Sequence, residues 1–274
     1  MKRTIPFTKM AGAGNDFVIL DAHNGLNYKK LTGQICDRNN GLGADGLLIL
    51  DKSKKADYRM RIINADGSEA EMCGNGARCM AAYIVHNRKP KKKLFSLETI
   101  AGIILAEAKG ETANVRLSDP KDYRPNVPLL IQGRTIQVHY IDTGVPHTIV
   151  YVDGLKNIAV ADLGQTIRFH EDFKPRGTNV DFVEQIRDDL IAVRTYERGV
   201  EDETKACGTG AVASGIVTYL KMNPEVHQVK NAPIKVKTVS GEILNITFDL
   251  QNEKITNVWL KGSAKFIAKG EYYV

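Results

Sequence analysis

The chain has 274 residues, 43% hydrophobic and 26% charged, with a formal net charge of +6. That length supports one large domain or two of ordinary size, each with its own core. No apolar run approaches the ~20 residues of a membrane span, and Met1 to Pro6 carries no signal-peptide core, so the expected compartment is the cytoplasm and no membrane contact is expected. The one dense basic run, Lys89 to Lys93, lacks interleaved aromatic residues and reads as a solvated turn, so no nucleic-acid partner is expected.

In chain order, β-branched or alternating runs mark strands at Phe17–Leu20, Gly46–Leu50, Tyr58–Ile63, Ile103–Glu107, Thr148–Val152, Leu190–Tyr196, Ile234–Val239 and Ile243–Phe248. Helical spacing is clearest at Ala77–Val85 and Ala211–Leu220. Both segments are apolar around most of their circumference, which predicts two helices sheathed by strands.

The two halves repeat one another. Cys73-Gly-Asn-Gly-Ala77 recurs as Cys207-Gly-Thr-Gly-Ala211, each just before an apolar helix. Leu97-Glu-Thr-Ile-Ala-Gly102 is echoed by Val236-Lys-Thr-Val-Ser-Gly241, and Ala113–Leu117 by Thr256–Leu260. Upstream, Asn15-Asp-Phe-Val18 resembles Asn179-Val-Asp-Phe-Val183, which suggests that Asn15 and Asn179 occupy equivalent positions. Matches in the same order predict two similar domains from an internal duplication. The expected division is 1–118, completed by 265–274, and 119–264, with Lys121–Pro128 as the connection.

Four cysteines occur, at 36, 73, 79 and 207, without the paired spacing of a zinc site, so no metal is expected. Cys36 and Cys79 lie outside the repeated motif positions and read as core filler. Cys73 and Cys207 are different, because a cysteine followed by Gly-x-Gly at a helix start has a physical use. The glycines permit close backbone approach, the first helical N–H groups bind anions, and the helix dipole favours thiolate over thiol. Inverting a carbon that bears a hydrogen requires a base on one face and an acid on the other. A thiolate and a thiol, one from each duplicated domain across a cleft, meet that need, while the helix N–H donors stabilise charge on the adjacent carboxylate. Two such thiols in an empty cleft are also expected to be open to reversible oxidation.

Flanking polar residues suit a substrate charged at both ends. Glu197 and Arg198 are candidates for holding an ammonium and a carboxylate. Asn15 and Asn179 are candidates for the substrate's far head, and His147 for moving a proton to or from a thiol.

At these motifs the chain resembles diaminopimelate epimerase. The resemblance runs from Phe7–Phe17 through Asn64–Glu69, Met72–Arg78 and Pro146-His147 to Glu197-Arg198-Gly199 and Ala206–Gly210. It implies an α+β fold of two similar domains, each a mostly antiparallel β-sheet or barrel wrapped around a central α-helix, and a homodimer. It further implies interconversion of LL- and meso-2,6-diaminopimelate in lysine biosynthesis, with no cofactor. Carried onto this sequence, Cys73 and Cys207 form the acid/base pair, tuned by His147 and Glu197. Gly74, Asn75, Gly208 and Thr209 would cradle the reacting carboxylate, and Asn15, Asn64, Asn179, Glu197 and Arg198 would hold the rest. Two departures stand out: Val145 and Gly46 replace an Asn and a Gln common in the family. The competing readings are a proline or hydroxyproline racemase, which shares the paired-cysteine logic, and a binding protein without turnover.

Overall fold

A computed structural model describes residues 3–274. Its contacts divide the described chain into two units, one running to Arg116 and resuming at Lys261, the other spanning Leu117–Leu260.

The first unit begins with a hairpin of β1 (Thr4–Gly12) and β2 (Asn15–Asp21), closed by Ala13 and Gly14, both at positive φ. Such a two-residue turn matches the twist of the paired strands and sets Asn15 at the mouth of β2. Helix α1 (Tyr28–Ile35) then returns the chain so that β3 (Gly46–Asp51) pairs parallel to β2. Antiparallel β4 (Tyr58–Asn64) and the short β5 (Glu69–Ala70) follow. Helix α2 (Gly74–Arg88) carries the chain to β6 (Phe95–Thr99), parallel to β4, and antiparallel β7 (Gly102–Lys109) and β8 (Thr112–Arg116) complete the run.

In the second unit β9 (Lys121–Ile131) pairs antiparallel with β10 (Arg134–Asp142), and β10 with β11 (Pro146–Tyr151). Helix α3 (Val160–Arg168) leads to β12 (Asn179–Arg187), parallel to β11, then to antiparallel β13 (Leu190–Glu197) and β14 (Asp202–Thr204). Helix α4 (Gly208–Met222) leads to β15 (Gln228–Lys237), parallel to β13, followed by antiparallel β16 (Ile243–Gln251) and by β17 (Lys254–Ser263). Finally β18 (Lys265–Tyr273) pairs antiparallel with β1 in the first unit.

The order β1-β2-α1-β3-β4-β5-α2-β6-β7-β8 is therefore repeated by β10-β11-α3-β12-β13-β14-α4-β15-β16-β17, with the same parallel and antiparallel choices at the pairings traced above. The duplication and the sheathed helices read from the sequence are present. α2 touches β1, β2, β3, β4, β7 and β8, and α4 touches β10, β11, β12, β13, β15 and β16. Each is buried around its girth, α2 from Asn75 to Ile84 and α4 from Gly210 to Thr218. The other sheet face is covered by the shorter helix, with Leu31 and Ile35 of α1 packed on Val18, Leu20, Leu47 and Ile49. Val160 and Ile167 of α3 join Val180, Phe182 and Tyr196 likewise. Cys36 and Cys79 are core residues, as expected.

Two sequence expectations are corrected. Lys121–Pro128 is not a loose connection but the first part of β9, whose Pro125 and Pro128 are tolerated because they cost only ladder donors. More consequentially, Asn15 and Asn179 are not equivalent. Asn15 opens β2, whose counterpart is β11, whereas Asn179 opens β12, whose counterpart is β3. Registers fix the true pairs. Matching Leu97 with Val236 equates Tyr58 with Ile191, and hence Gly46 with Asn179, Leu48 with Asp181, Phe17 with His147 and Asn15 with Val145. The local likeness of Asn-Asp-Phe-Val and Asn-Val-Asp-Phe-Val arose on different strands.

Candidate active site

Both motif cysteines are helix N-caps. Cys73 precedes α2 in extended conformation and its Sγ accepts the Gly76 N–H at 3.4 Å. Cys207 precedes α4 in the same way and its Sγ accepts the Gly210 N–H at 3.4 Å. Sulfur thus takes the place usually held by a Ser or Asp oxygen, so each thiol is fixed at the positive end of a buried helix. Cys73 is half-buried, while Cys207 is buried.

In the second unit Cys207 heads a line of polar contacts. Its Sγ lies 3.4 Å from Thr209 Oγ1, and Thr209 Oγ1 lies 3.0 Å from His147 Nε2. His147 Nδ1 lies 2.7 Å from Asp181 Oδ2, and Asp181 Oδ1 accepts from the Thr195 hydroxyl at 2.7 Å. His147 and Asp181 are both fully buried. Neighbouring β11 and β12 bring them together, since His147 pairs with Asn179 two residues before Asp181. Asp181 escaped the sequence reading. Its only signal there is a lone carboxylate between Val180 and Phe182, both of which are buried.

The helix dipole was expected to lower the thiol pKa, but for Cys207 the balance runs the other way. Burial pushes this thiol well above its ordinary value, and the Glu197 and Asp181 carboxylates push in the same direction. Hydrogen bonding with the Thr209 hydroxyl and the Gly210 N–H offsets only part of that. Glu197 is itself raised by burial, with Asp181 adding to the effect and the Thr204 hydroxyl and His147 opposing it.

Asn179 spans two arms of the same unit. Its Nδ2 donates to Pro146 O at 2.9 Å, and its Oδ1 accepts the Arg198 N–H at 2.8 Å. It thereby ties the His147 strand to the Glu197-Arg198 turn. The Arg198 guanidinium donates to Arg176 O at 3.2 Å and shares its surroundings with Arg176 and Arg168. Burial and these two cations disfavour its charge, against Asp142 and Tyr140. Arg168 pairs with Glu201 at 3.1 Å and Arg176 with Asp142 at 3.6 Å, so the three guanidinium groups outnumber the two carboxylates and the cluster suits an anion.

In the first unit the helix start is held differently. Asn15 Nδ2 donates to Asp45 Oδ2 at 2.9 Å, Asn75 Nδ2 donates to Asn15 Oδ1 at 2.7 Å, and Arg78 Nη2 donates to Asn75 Oδ1 at 2.9 Å. Both ends are unambiguous, because a carboxylate accepts and a guanidinium donates, so both amide orientations follow. Asn64 is the last residue of β4, where its Nδ2 donates to Ser68 Oγ at 3.0 Å and the next residue, Ala65, donates its N–H to Asp45 O at 3.1 Å. Asp45 and the fully buried Arg78 are further residues the sequence reading did not single out. Gly74 and Gly208 open the two helices, so their N–H groups stand among the unpaired donors at the helix starts. Among the described residues, no group of three or more His, Cys, Asp or Glu side chains is arranged to hold a metal ion.

Comparison with known proteins bears on this arrangement. The chain is 40% identical to a diaminopimelate epimerase of Aquifex aeolicus, covering 96% of each protein. It is 38% identical to one of Chlorobaculum tepidum, covering 95% of this chain and 98% of that protein. Among solved structures it shares the fold of a Bacillus anthracis phenazine biosynthesis protein of the PhzF family, with a TM-score of 0.73 at 18% identity, covering 99% of this chain and 100% of that one. It also shares the fold of a hydroxyproline epimerase from Agrobacterium vitis, with a TM-score of 0.72 at 12% identity, covering 100% of this chain and 94% of that one. The family model described as diaminopimelate epimerase matches residues 7–121 and 139–267, and with the curated relatives it establishes that the chain belongs to the diaminopimelate epimerase family.

Proposed function

We propose that this protein is a diaminopimelate epimerase, an isomerase that interconverts LL- and meso-2,6-diaminopimelate by two-base thiol chemistry without pyridoxal phosphate. The observation that carries the reading is the pair of cysteine N-caps, one at the start of each duplicated helix, in a member of this family. One cysteine, as thiolate, removes the α-hydrogen, and the other, as thiol, returns a proton to the opposite face of the same carbon. Backbone N–H groups at Gly74-Asn75 and Gly208-Thr209 take the reacting carboxylate and the charge that develops on it. Arg198, with Arg176 and Arg168 nearby, takes the distal carboxylate. Asn15, Asn64, Asn179 and Glu197 take the remaining polar groups, and His147 and Glu197 tune the thiols. With its family, the enzyme is assigned to lysine biosynthesis, to the cytoplasm and to a homodimeric state.

The test is exchange of α-hydrogen with solvent deuterium on diaminopimelate and on proline. Exchange on diaminopimelate alone supports the reading, and exchange on proline alone replaces it with a racemase. Cys73→Ala and Cys207→Ala must each abolish epimerisation, and wild-type turnover by either variant would sink the two-base assignment. Light scattering after size exclusion checks the dimer.

A further inference from the structure

We propose that the Thr209 hydroxyl relays the Cys207 thiol proton to Nε2 of His147, with Asp181 as the positioning residue that makes His147 the acceptor. The proposal rests on the reading of Cys207 as an acid/base thiol and adds the route by which its thiolate is made.

The direction of each contact follows from its neighbour. The Asp181 carboxylate accepts the Thr195 hydroxyl on Oδ1, and its Oδ2 faces His147 Nδ1 at 2.7 Å. The proton therefore sits on Nδ1, and Nε2 presents a lone pair to Thr209 Oγ1 at 3.0 Å. The Thr209 hydroxyl donates to that lone pair, which leaves its oxygen to accept from the Cys207 S–H at 3.4 Å. All three hydrogen bonds then point from sulfur towards Asp181.

The transfer balances. The S–H bond breaks as its proton bonds to Thr209 Oγ1, while the Thr209 O–H bond breaks as its proton bonds to Nε2. The products are a thiolate and an imidazolium, the hydroxyl is regenerated, and the carboxylate is unchanged. No net charge enters the buried site. That matters because an unaccompanied thiolate would face the Glu197 carboxylate on β13 and the Asp181 carboxylate on β12. His147 on β11 is the group beside them that gains positive charge as the thiolate forms. Gly210 keeps the route open, since a methyl group there would overlap Asp181 Oδ1.

The first unit supplies an internal control. The positions equivalent to His147 and Asp181 hold Phe17 and Leu48, which cannot carry a proton, so the relay serves Cys207 and not Cys73.

The experiment measures the rate of iodoacetamide alkylation against pH, resolved by peptide mass spectrometry for Cys207 and Cys73, in wild type, Thr209→Val, Thr209→Ser and Asp181→Asn. Thr209→Val should slow Cys207 about tenfold near neutral pH, with Cys73 unchanged, and Thr209→Ser should restore the wild-type rate. Asp181→Asn decides between relay and simple electrostatics. Loss of a neighbouring negative charge alone would speed Cys207, whereas loss of the positioned imidazole slows it. A faster Cys207 in Asp181→Asn, or an unchanged Cys207 in Thr209→Val, overturns the relay. Should valine fail to fold, Thr209→Ala carries the same expectation. Alkylation needs no substrate, so failure of the relay is distinct from failure to epimerise diaminopimelate.

Discussion

The duplication allows one substitution to be made twice with different expected outcomes. Gly76 and Gly210 are the third residues of the two matched helices, and each lies against the strand that crosses its helix start. Opposite Gly76 stands Leu48, whose Cδ2 would be 3.2 Å from an added Cβ. A leucine methyl can yield a few tenths of an ångström by a small torsional change. Opposite Gly210 stands Asp181, and the same methyl would overlap Oδ1 and sit 3.2 Å from Cγ. Asp181 cannot turn aside cheaply, because its two oxygens are held at 2.7 Å by Thr195 and by His147. Relief requires the carboxylate to move by about 1 Å to reach ordinary contact, which breaks one of those bonds. Gly210→Ala should therefore cost about 1–3 kcal/mol of stability as an overpacked core substitution. By displacing His147 it should also lower kcat/KM on diaminopimelate by about 10²-fold. Gly76→Ala should change both by much less. Thermal unfolding and α-deuterium exchange measured on both variants decide the matter. Equal losses at the two positions, or full activity in Gly210→Ala, would refute the asymmetry argued from Asp181 and Leu48.

Three further outcomes are expected. Glu197→Gln removes a carboxylate that pushes the Cys207 thiol upward, so the Cys207 alkylation profile should move to lower pH; a shift to higher pH would contradict that sign. Arg198→Met should raise KM for diaminopimelate by about ten- to a hundredfold, the worth of a charge-assisted hydrogen bond, with a smaller change in kcat, and a change confined to kcat would remove Arg198 from the binding of the distal carboxylate. Arg78→Met strips the donor that lies 2.9 Å from Asn75 Oδ1 and should cost about 1–3 kcal/mol for the buried acceptor left behind, read as a lowered Tm. An unchanged Tm would mean that the Asp45-Asn15-Asn75-Arg78 line does not help hold the helix start.

Much of the fold was legible because the strongest signals were local. The two apolar helices and the repeated Cys-Gly-x-Gly-Ala announced themselves through composition, and the helices extend only a few residues beyond the periodic cores, to Gly74–Arg88 and Gly208–Met222. The short covering helices were not legible. α1 has only eight residues, and its start depends on Asn27 accepting the Lys30 N–H, a cap invisible without the packing that selects it. β9 was hidden by its prolines and charges, which an edge position permits. Within the site, the cysteines were legible because they repeat. Asp181 and Arg78 were not, because a charged residue in an apolar run acquires meaning only when its partners, Thr195 and His147 for one and Asn75 and the Ser263 carbonyl for the other, arrive from distant sequence.

The inequivalence of Asn15 and Asn179 changes what Val145 and Gly46 mean. With β2 matched to β11 and β3 to β12, Asn15 is the counterpart of Val145 and Asn179 the counterpart of Gly46. The two apparent departures are therefore the empty partners of the two asparagines, and each unit keeps its amide on a different strand. The amides have correspondingly different duties. Asn15 joins the line from Asp45 to the helix residue Asn75, while Asn179 braces Pro146 against Arg198. Nor is the vacancy at Gly46 a simple deletion that a longer side chain would fill, since even a Cβ there would stand 2.8 Å from the Ile63 carbonyl oxygen. The backbone of β3 lies too close to β4 to accept one without shifting. Divergence after duplication has thus left no room at Gly46 for a side chain such as its counterpart Asn179 carries. It has left one cysteine helix anchored by an amide and guanidinium line and the other by a histidine and carboxylate pair, so the two thiols should differ in how they ionise even though they share the same cap.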